Sequence, residues 1–306
     1  MLHPIGMQRR LRRLVPGDRP ALWLPLDDGL ISGPEEHLRD ARRLLARDVL
    51  ENVTAVLGFR GVLNAASNEL VDTPVVMNLS ASTTLIEHTR KVPVGSVADA
   101  IQADAEAIAC HVNMTSPFEA EQLELLSRRV TEANAFGLPV VALAYPRGRR
   151  EDGSDENYSG LRQRSPEDFA ILVRHCVRVA VELGAAVVKT IFTGTVDSFQ
   201  TVVDSAMGVP VLIAGEQLTD ENEAIVKAQN AVQAGAAGVA YGRQIFSRPD
   251  PLPFLRKLRG ALDDQWLGKN CRGQTTYRTE AISDPRAGVE IVSGRSMTSA
   301  ILPPKP

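Results

Sequence analysis

The stretch Gly184-Ala185-Ala186-Val187-Val188-Lys189-Thr190 reads as a short buried strand that ends on a lysine. Two alanines and two valines form a compact apolar run, and Gly184 fits the close of a preceding helix. Thr190-Ile191-Phe192-Thr193-Gly194-Thr195 follows as a loop. A lysine in this position either snorkels to the surface, pairs with a carboxylate, or stays partly buried. Burial disfavours its charged form and lowers its pKa, which frees an amine to attack a carbonyl.

The same pattern recurs on both sides of this stretch. Apolar runs at residues 21–26, 53–57, 74–78, 107–112, 140–144, 209–214 and 238–241 are expected strands. Helices are expected at 33–45, 96–105, 119–136, 166–183, 197–206, 221–234 and 251–262. Their ends carry the usual signals: Ser96 as an N-cap with Asp99 three residues on, and Gly137 with Pro139 as a stop. Eight short strands alternating with helices, over a span near the roughly 250 residues of a (β/α)8 barrel, predict a TIM barrel. An open doubly wound sheet also alternates, but its Gly-rich turn after the first strand is missing; Asp27-Asp28 stands there instead.

Residues 1–20 form a basic leader with Arg9, Arg10, Arg12 and Arg13, residues 21–268 the barrel, and residues 269–306 a polar extension. The leader is expected to be solvated, because no apolar segment with a small-residue cleavage site follows it. The extension is expected to be disordered or to grip a neighbouring subunit. The stretch 149–164 is charged, nearly free of aliphatics, and the best lid candidate.

With 34 Lys+Arg against 37 Asp+Glu, the chain gives no reason to expect nucleic acid as a partner. No apolar run approaches the roughly 20 residues of a membrane span. Three widely spaced cysteines (Cys110, Cys176 and Cys271) suggest reduced thiols and a cytoplasmic setting, not a disulfide framework. The five histidines lack ligand spacing, so neither a metal site nor a cofactor is expected.

Active sites of such barrels lie at the C-terminal ends of the strands. The strand assignments bring Asp27, Asn78, His111, Tyr145, Lys189, Gly215 and Gly242 to one rim. An acid, a phenol and a lysine suit Schiff-base chemistry, which needs an amine nucleophile, a proton shuttle and a base. Singly, each has an ordinary reading: Asp27 and Asp28 as turn residues, Tyr145 as a rim tyrosine, His111 as a core histidine. Phosphate is commonly held by the loops after strands seven and eight, where Gly215 and Gly242 permit close backbone approach and Arg243 adds a charged donor.

Several motifs together resemble a known family. They are Leu26-Asp27-Asp28-Gly29 with Ser32-Gly33-Pro34, Asn78-Leu79-Ser80-Ala81-Ser82-Thr83 and His111-Val112-Asn113. Gly137-Leu138-Pro139, Tyr145-Pro146-Arg147-Gly148, Val188-Lys189-Thr190 and the run from Ala234 to Arg243 complete the set. The chain resembles class I aldolases of the archaeal fructose-bisphosphate aldolase and aminodideoxyheptulosonate synthase type, within the deoxyribose-phosphate aldolase-like barrels. The resemblance runs from about residue 24 to residue 262.

It implies a Schiff base on Lys189, acid/base work by Tyr145, and proton handling by Asp27. It also implies phosphate held by Gly215, Gly242 and Arg243, a small ketose or aldehyde substrate in a biosynthetic pathway, and a homo-oligomer, in the family often a decamer. The chain departs from the family at Asp28, where histidine is usual, and at Gly215-Glu216, where a Gly-Gly pair is usual. A glutamate beside a phosphate repels it, so a weaker, displaced or absent phosphate is expected at that end. Asp28, His111 and Glu216 are the further candidates for substrate contact. Two other readings stay open: a barrel enzyme that does isomerase or acyl-transfer chemistry without a Schiff base, and a silent oligomeric binding protein.

Overall fold

A computed structural model describes residues 4–34, 36–150 and 152–271. Eight parallel strands close into a barrel. They are β1 (Ala21–Pro25), β2 (Ala55–Gly58), β3 (Val75–Asn78), β4 (Ala107–Met114), β5 (Val140–Pro146), β6 (Val187–Thr190), β7 (Val211–Ala214) and β8 (Gly238–Ala240). Each pairs with its sequence neighbours, and β1 pairs with β8 to close the ring, as expected of a TIM barrel. Every residue of these strands is buried, because helices cover the outside and side chains fill the inside. Their sequences therefore read as continuous apolar runs without polar alternation.

The closure is tight. Ala21 pairs with Gly238, and a Cβ on Gly238 would lie 2.0 Å from the Ala21 carbonyl oxygen. Its φ of +152° also disfavours any side chain.

The helices form where their caps place them. Ser96 and Asp99 make a reciprocal capping box for Val97–Gln102. Ser165 caps Pro166–Glu182, with Pro166 at the first helical position. Asp220 accepts from Asn222 and Glu223 to start Glu221–Gln233. Gly184, at φ +94°, ends Pro166–Glu182 and turns the chain into β6.

Three expectations change. The single helix expected at 33–45 is broken into Asp28–Ile31, a 3-10 turn Glu36–Leu38, Ala41–Leu44 and Arg47–Leu50. Gly33 at φ +98° and Asp40, which accepts from the Arg42 backbone, interrupt it. The basic leader is not wholly solvated: Ile5–Leu14 is a helix whose Met7 and Leu14 are buried. Its end is fixed by the Trp23 indole N–H, which donates to the Leu14 carbonyl at 2.9 Å. Arg13 pairs with Glu106, just before β4, and Arg10 donates to the Gly137 carbonyl, just before β5. This helix thus packs at the N-terminal end of the barrel, opposite the rim that carries the site. The last helix is longer than expected, Pro251–Cys271, and the rest of the extension, 272–306, lies outside the described residues.

The lid candidate is structured. Gly148–Arg149 pairs antiparallel with Asp155–Glu156, and Tyr158–Arg164 is a helix.

Candidate active site

A cavity of about 230 Å³ opens at the C-terminal rim of the barrel. Nine of the ten residues singled out from the sequence line it: Asp27, Asp28, His111, Tyr145, Lys189, Gly215, Glu216, Gly242 and Arg243; the tenth, Asn78, stands behind it.

Lys189 sits within β6, in register with Leu143 of β5 and Leu212 of β7, and is only 7% exposed. It makes no hydrogen bond or ion pair with any described residue. Burial lowers its pKa; the charges of Asp27 and Asp28 act the other way, and Arg243 adds to the lowering. The result is an amine on a rigid strand, aimed at a cavity and biased toward its nucleophilic form.

Asp27 lies two residues beyond the end of β1, at the start of the short helix Asp28–Ile31, and is 8% exposed. Asn78, at the end of β3, donates from Nδ2 to Asp27 Oδ2 at 3.0 Å, while its Oδ1 accepts the Ser80 backbone N–H at 3.2 Å. Asn78 therefore orients the aspartate from behind and does not line the cavity. Tyr145, near the end of β5, is 7% exposed. Burial, reinforced by the Asp27 charge, pushes its phenol well above the ordinary tyrosine pKa, so it stays protonated and acts first as a donor.

His111 is held by Ser80 on both sides. Its backbone N–H donates to Ser80 Oγ at 2.7 Å, and its Nδ1 lies 3.0 Å from that oxygen. Burial holds the ring neutral. Its fixed ring contributes a wall with a hydrogen-bonding edge.

The glycines after β7 and β8 have a packing reason to be glycines. A Cβ on Gly215 would meet Gln244 at 3.1 Å and Tyr241 at 3.2 Å; one on Gly242 would meet the Pro25 carbonyl oxygen at 3.0 Å. Arg243 starts the short helix Arg243–Phe246 and lies 3.7 Å from Asp28 Oδ2. The Asp28 carboxylate thus shares that guanidinium with any ligand bound there.

Glu216 differs from expectation. Its carboxylate, only 10% exposed, is held bidentate by Arg162, with Nη2 to Oε1 at 2.8 Å, and is also paired with Lys227. Two cations against one anion leave this corner net positive, so the repulsion expected from an isolated glutamate is offset.

Several lining residues carried no sequence signal for the site: His88, Arg147, Asn157 and Tyr158. Arg147 belongs to the Tyr145-Pro146-Arg147-Gly148 motif but had no role there. It lies 5.9 Å from the Tyr145 ring centroid and 5.0 Å from that of Tyr158. Gln244 is a structural addition; its amide nitrogen donates to the Gly215 carbonyl at 3.1 Å and the Gln217 carbonyl at 2.6 Å, tying the β7 loop to the β8 loop. Among the described residues there is no cluster of three or more His, Cys, Asp or Glu able to hold a metal, and no helix long and apolar enough to cross a membrane.

Comparison with known proteins agrees with this geometry. The model of the DeoC/LacD family of aldolases matches residues 21–248. A 2-amino-3,7-dideoxy-D-threo-hept-6-ulosonate synthase of Halobacterium salinarum is 35% identical over 85% of this chain and 92% of its own. A 2-amino-4,5-dihydroxy-6-oxo-7-(phosphonooxy)heptanoate synthase of Streptomyces griseus is 31% identical over 83% of this chain and 89% of its own. Among solved structures, an archaeal fructose-1,6-bisphosphate aldolase with its catalytic lysine bound to the carbinolamine intermediate superimposes with a TM-score of 0.73. It is 28% identical, covering 84% of this chain and 99% of its own. The chain belongs to the DeoC/LacD family: it is a class I aldolase, an enzyme that makes or breaks a carbon–carbon bond.

Proposed function

We propose that Lys189 is the Schiff-base lysine and that the chain joins a small ketose, phosphorylated at one end, to an aldehyde in a biosynthetic pathway. The observation that carries this is Lys189 itself: a buried amine with no hydrogen-bond or ion-pair partner among the described residues, lining the cavity on a barrel strand. The synthase names of the relatives support the biosynthetic direction, and the phosphonooxy group in one of those names supports a phosphorylated substrate.

In this reading the Lys189 amine adds to the ketose carbonyl to give a carbinolamine. Asp27, held by Asn78, shuttles the proton that lets water depart and leaves an iminium. The Asp27 carboxylate, left deprotonated when water departs, takes an α-proton and turns the iminium into an enamine. The enamine's electrons form the new bond to the aldehyde carbon, and the neutral Tyr145 phenol gives its proton to the aldehyde oxygen. Water then adds to the iminium, gives up a proton that restores the Tyr145 phenol, and releases the product from Lys189. Gly215, Gly242 and Arg243 hold the phosphate, with Asp28 tempering the charge of Arg243. A cytoplasmic homo-oligomer fits the family resemblance and belongs to the same proposal.

The test is exchange of the α-protons of dihydroxyacetone phosphate in deuterated water. The protein should catalyse it, inorganic phosphate should compete, and Lys189→Met should abolish it. Exchange that persists in Lys189→Met would sink the assignment.

A further inference from the structure

The segment after β5 is tied to three other parts of the rim. Arg149 Nη2 meets Glu87 Oε1 at 2.9 Å, in the loop after β3. Arg162 donates to the Phe192 carbonyl after β6 at 3.2 Å and, as a fork, to Glu216 after β7. Within the segment, Arg164 Nη2 donates to Glu156 Oε2 at 2.8 Å, and Glu156 is buried. Between these ties Tyr158 turns inward. It is 6% exposed, lines the cavity, and places its ring 6.0 Å from that of Tyr145 at an interplanar angle of 35°.

Glu216 holds this arrangement from an uncomfortable position. Its φ is +62°, in the left-handed region where a glycine sits without strain. The cavity needs no side chain there, since Glu216 directs its carboxylate to Arg162 and Lys227. A strained residue whose carboxylate grips two cations points to the grip as its purpose.

We infer that Tyr158 is a second active-site phenol that contacts the aldehyde half of the substrate, and that Glu216 is the positioning residue that keeps it there through Arg162. This rests on the Schiff-base reading of Lys189. Tyr158 and Tyr145 both come from the β5 side of Lys189, whereas Gly215, Gly242 and Arg243 follow β7 and β8 on its other side. A ketose bound through Lys189 with its phosphate at β7 and β8 directs its growing end toward β5. There the aldehyde oxygen takes up negative charge as the enamine's electron pair forms the carbon–carbon bond. Tyr145 transfers its proton to that oxygen, and Tyr158 donates a hydrogen bond to the same half without itself losing a proton. Burial keeps the Tyr158 phenol neutral, as this requires. The ring also narrows the cavity on this side, which selects short aldehydes.

Three variants test this with fructose 1,6-bisphosphate cleavage as the carbon–carbon probe. Tyr158→Phe should lower kcat about tenfold or more, a modest share of the usual effect of a positioned acid. Its borohydride trapping of dihydroxyacetone phosphate on Lys189 should change less than about twofold, since that step involves only the ketose half. Glu216→Gln and Arg162→Met should also lower kcat and, unlike Tyr158→Phe, should speed tryptic cleavage within 147–164 about tenfold or more. Wild-type kcat in Tyr158→Phe would overturn the inference, as would loss of trapping in parallel with kcat. Unchanged proteolysis in Glu216→Gln would overturn the positioning role. Failure of the unchanged protein to trap at all would strike the Lys189 assignment instead, and the proteolysis result would still decide whether Glu216 holds the segment.

Discussion

His88 offers a prediction whose size follows from the structure. Its ring lines the cavity, its Nδ1 is buried without a hydrogen-bond partner among the described residues, and its pKa is lowered from 6.5 to about 3. Burial is the largest cause, followed by the charges of Lys91, Arg147 and Arg243. A histidine held neutral in the folded protein binds a proton in the unfolded chain as pH falls below 6.5. The unfolded state is then favoured by about 1.4 kcal/mol per pH unit until the folded pKa is reached. Between pH 7 and pH 4.5 this integrates to about 2.5 kcal/mol of lost stability from His88 alone.

Replacing His88 with glutamine removes that contribution and leaves the similar one from buried His111 in place. Urea unfolding at pH 7 and pH 4.5 should therefore show a smaller acid loss in His88→Gln than in the unchanged protein, by about 2 kcal/mol. The stability dependence should become shallower without disappearing. An equal acid loss in the two proteins would refute the reasoning, as would an imidazole resonance of His88 that titrates near 6.5 in the folded state.

Two further outcomes follow from the geometry. Gly238→Ala forces a methyl group into the Ala21 backbone at the β1–β8 closure and should cost about 3 kcal/mol or more, read as a lowered urea midpoint or failure to fold. Tyr145→Phe removes a hydroxyl that has no hydrogen-bond partner among the described residues, so thermal unfolding should be little changed. Carbon–carbon bond turnover should nevertheless fall by about 10²- to 10⁴-fold in steady-state kinetics; a drop below tenfold would remove Tyr145 from the acid/base role.

The barrel was readable because strands covered on both faces leave uninterrupted apolar runs, and β6, with its lysine one residue from the end, is a compact instance. The gathering of the candidate residues was readable for a related reason. Tyr145 and Lys189 lie one residue before their strands end, Asp27 and the two glycines lie just beyond strand ends, and closing the barrel brings all such positions to one rim. Residues on long loops gave no such signal. Tyr158, at the start of a helix in the segment after β5, and His88, in the loop after β3, reach the cavity on chain that ion pairs tie across the rim, and sequence spacing carries no trace of that. Glu216 shows the limit of reading a charge alone: its partners Arg162 and Lys227 lie 54 and 11 residues away. The helix Ile5–Leu14 left a mark that its arginines obscured, with Met7, Leu11 and Leu14 at helical spacing on the face that meets the core.

Borohydride reduction in the presence of dihydroxyacetone phosphate, followed by intact mass and peptide mapping, bears most directly on the chemistry assigned to Lys189. A single reduced adduct should appear, carried by the peptide that contains Lys189, and it should be absent from Lys189→Met. An adduct on another lysine, or none from folded protein, would contradict the Schiff-base assignment.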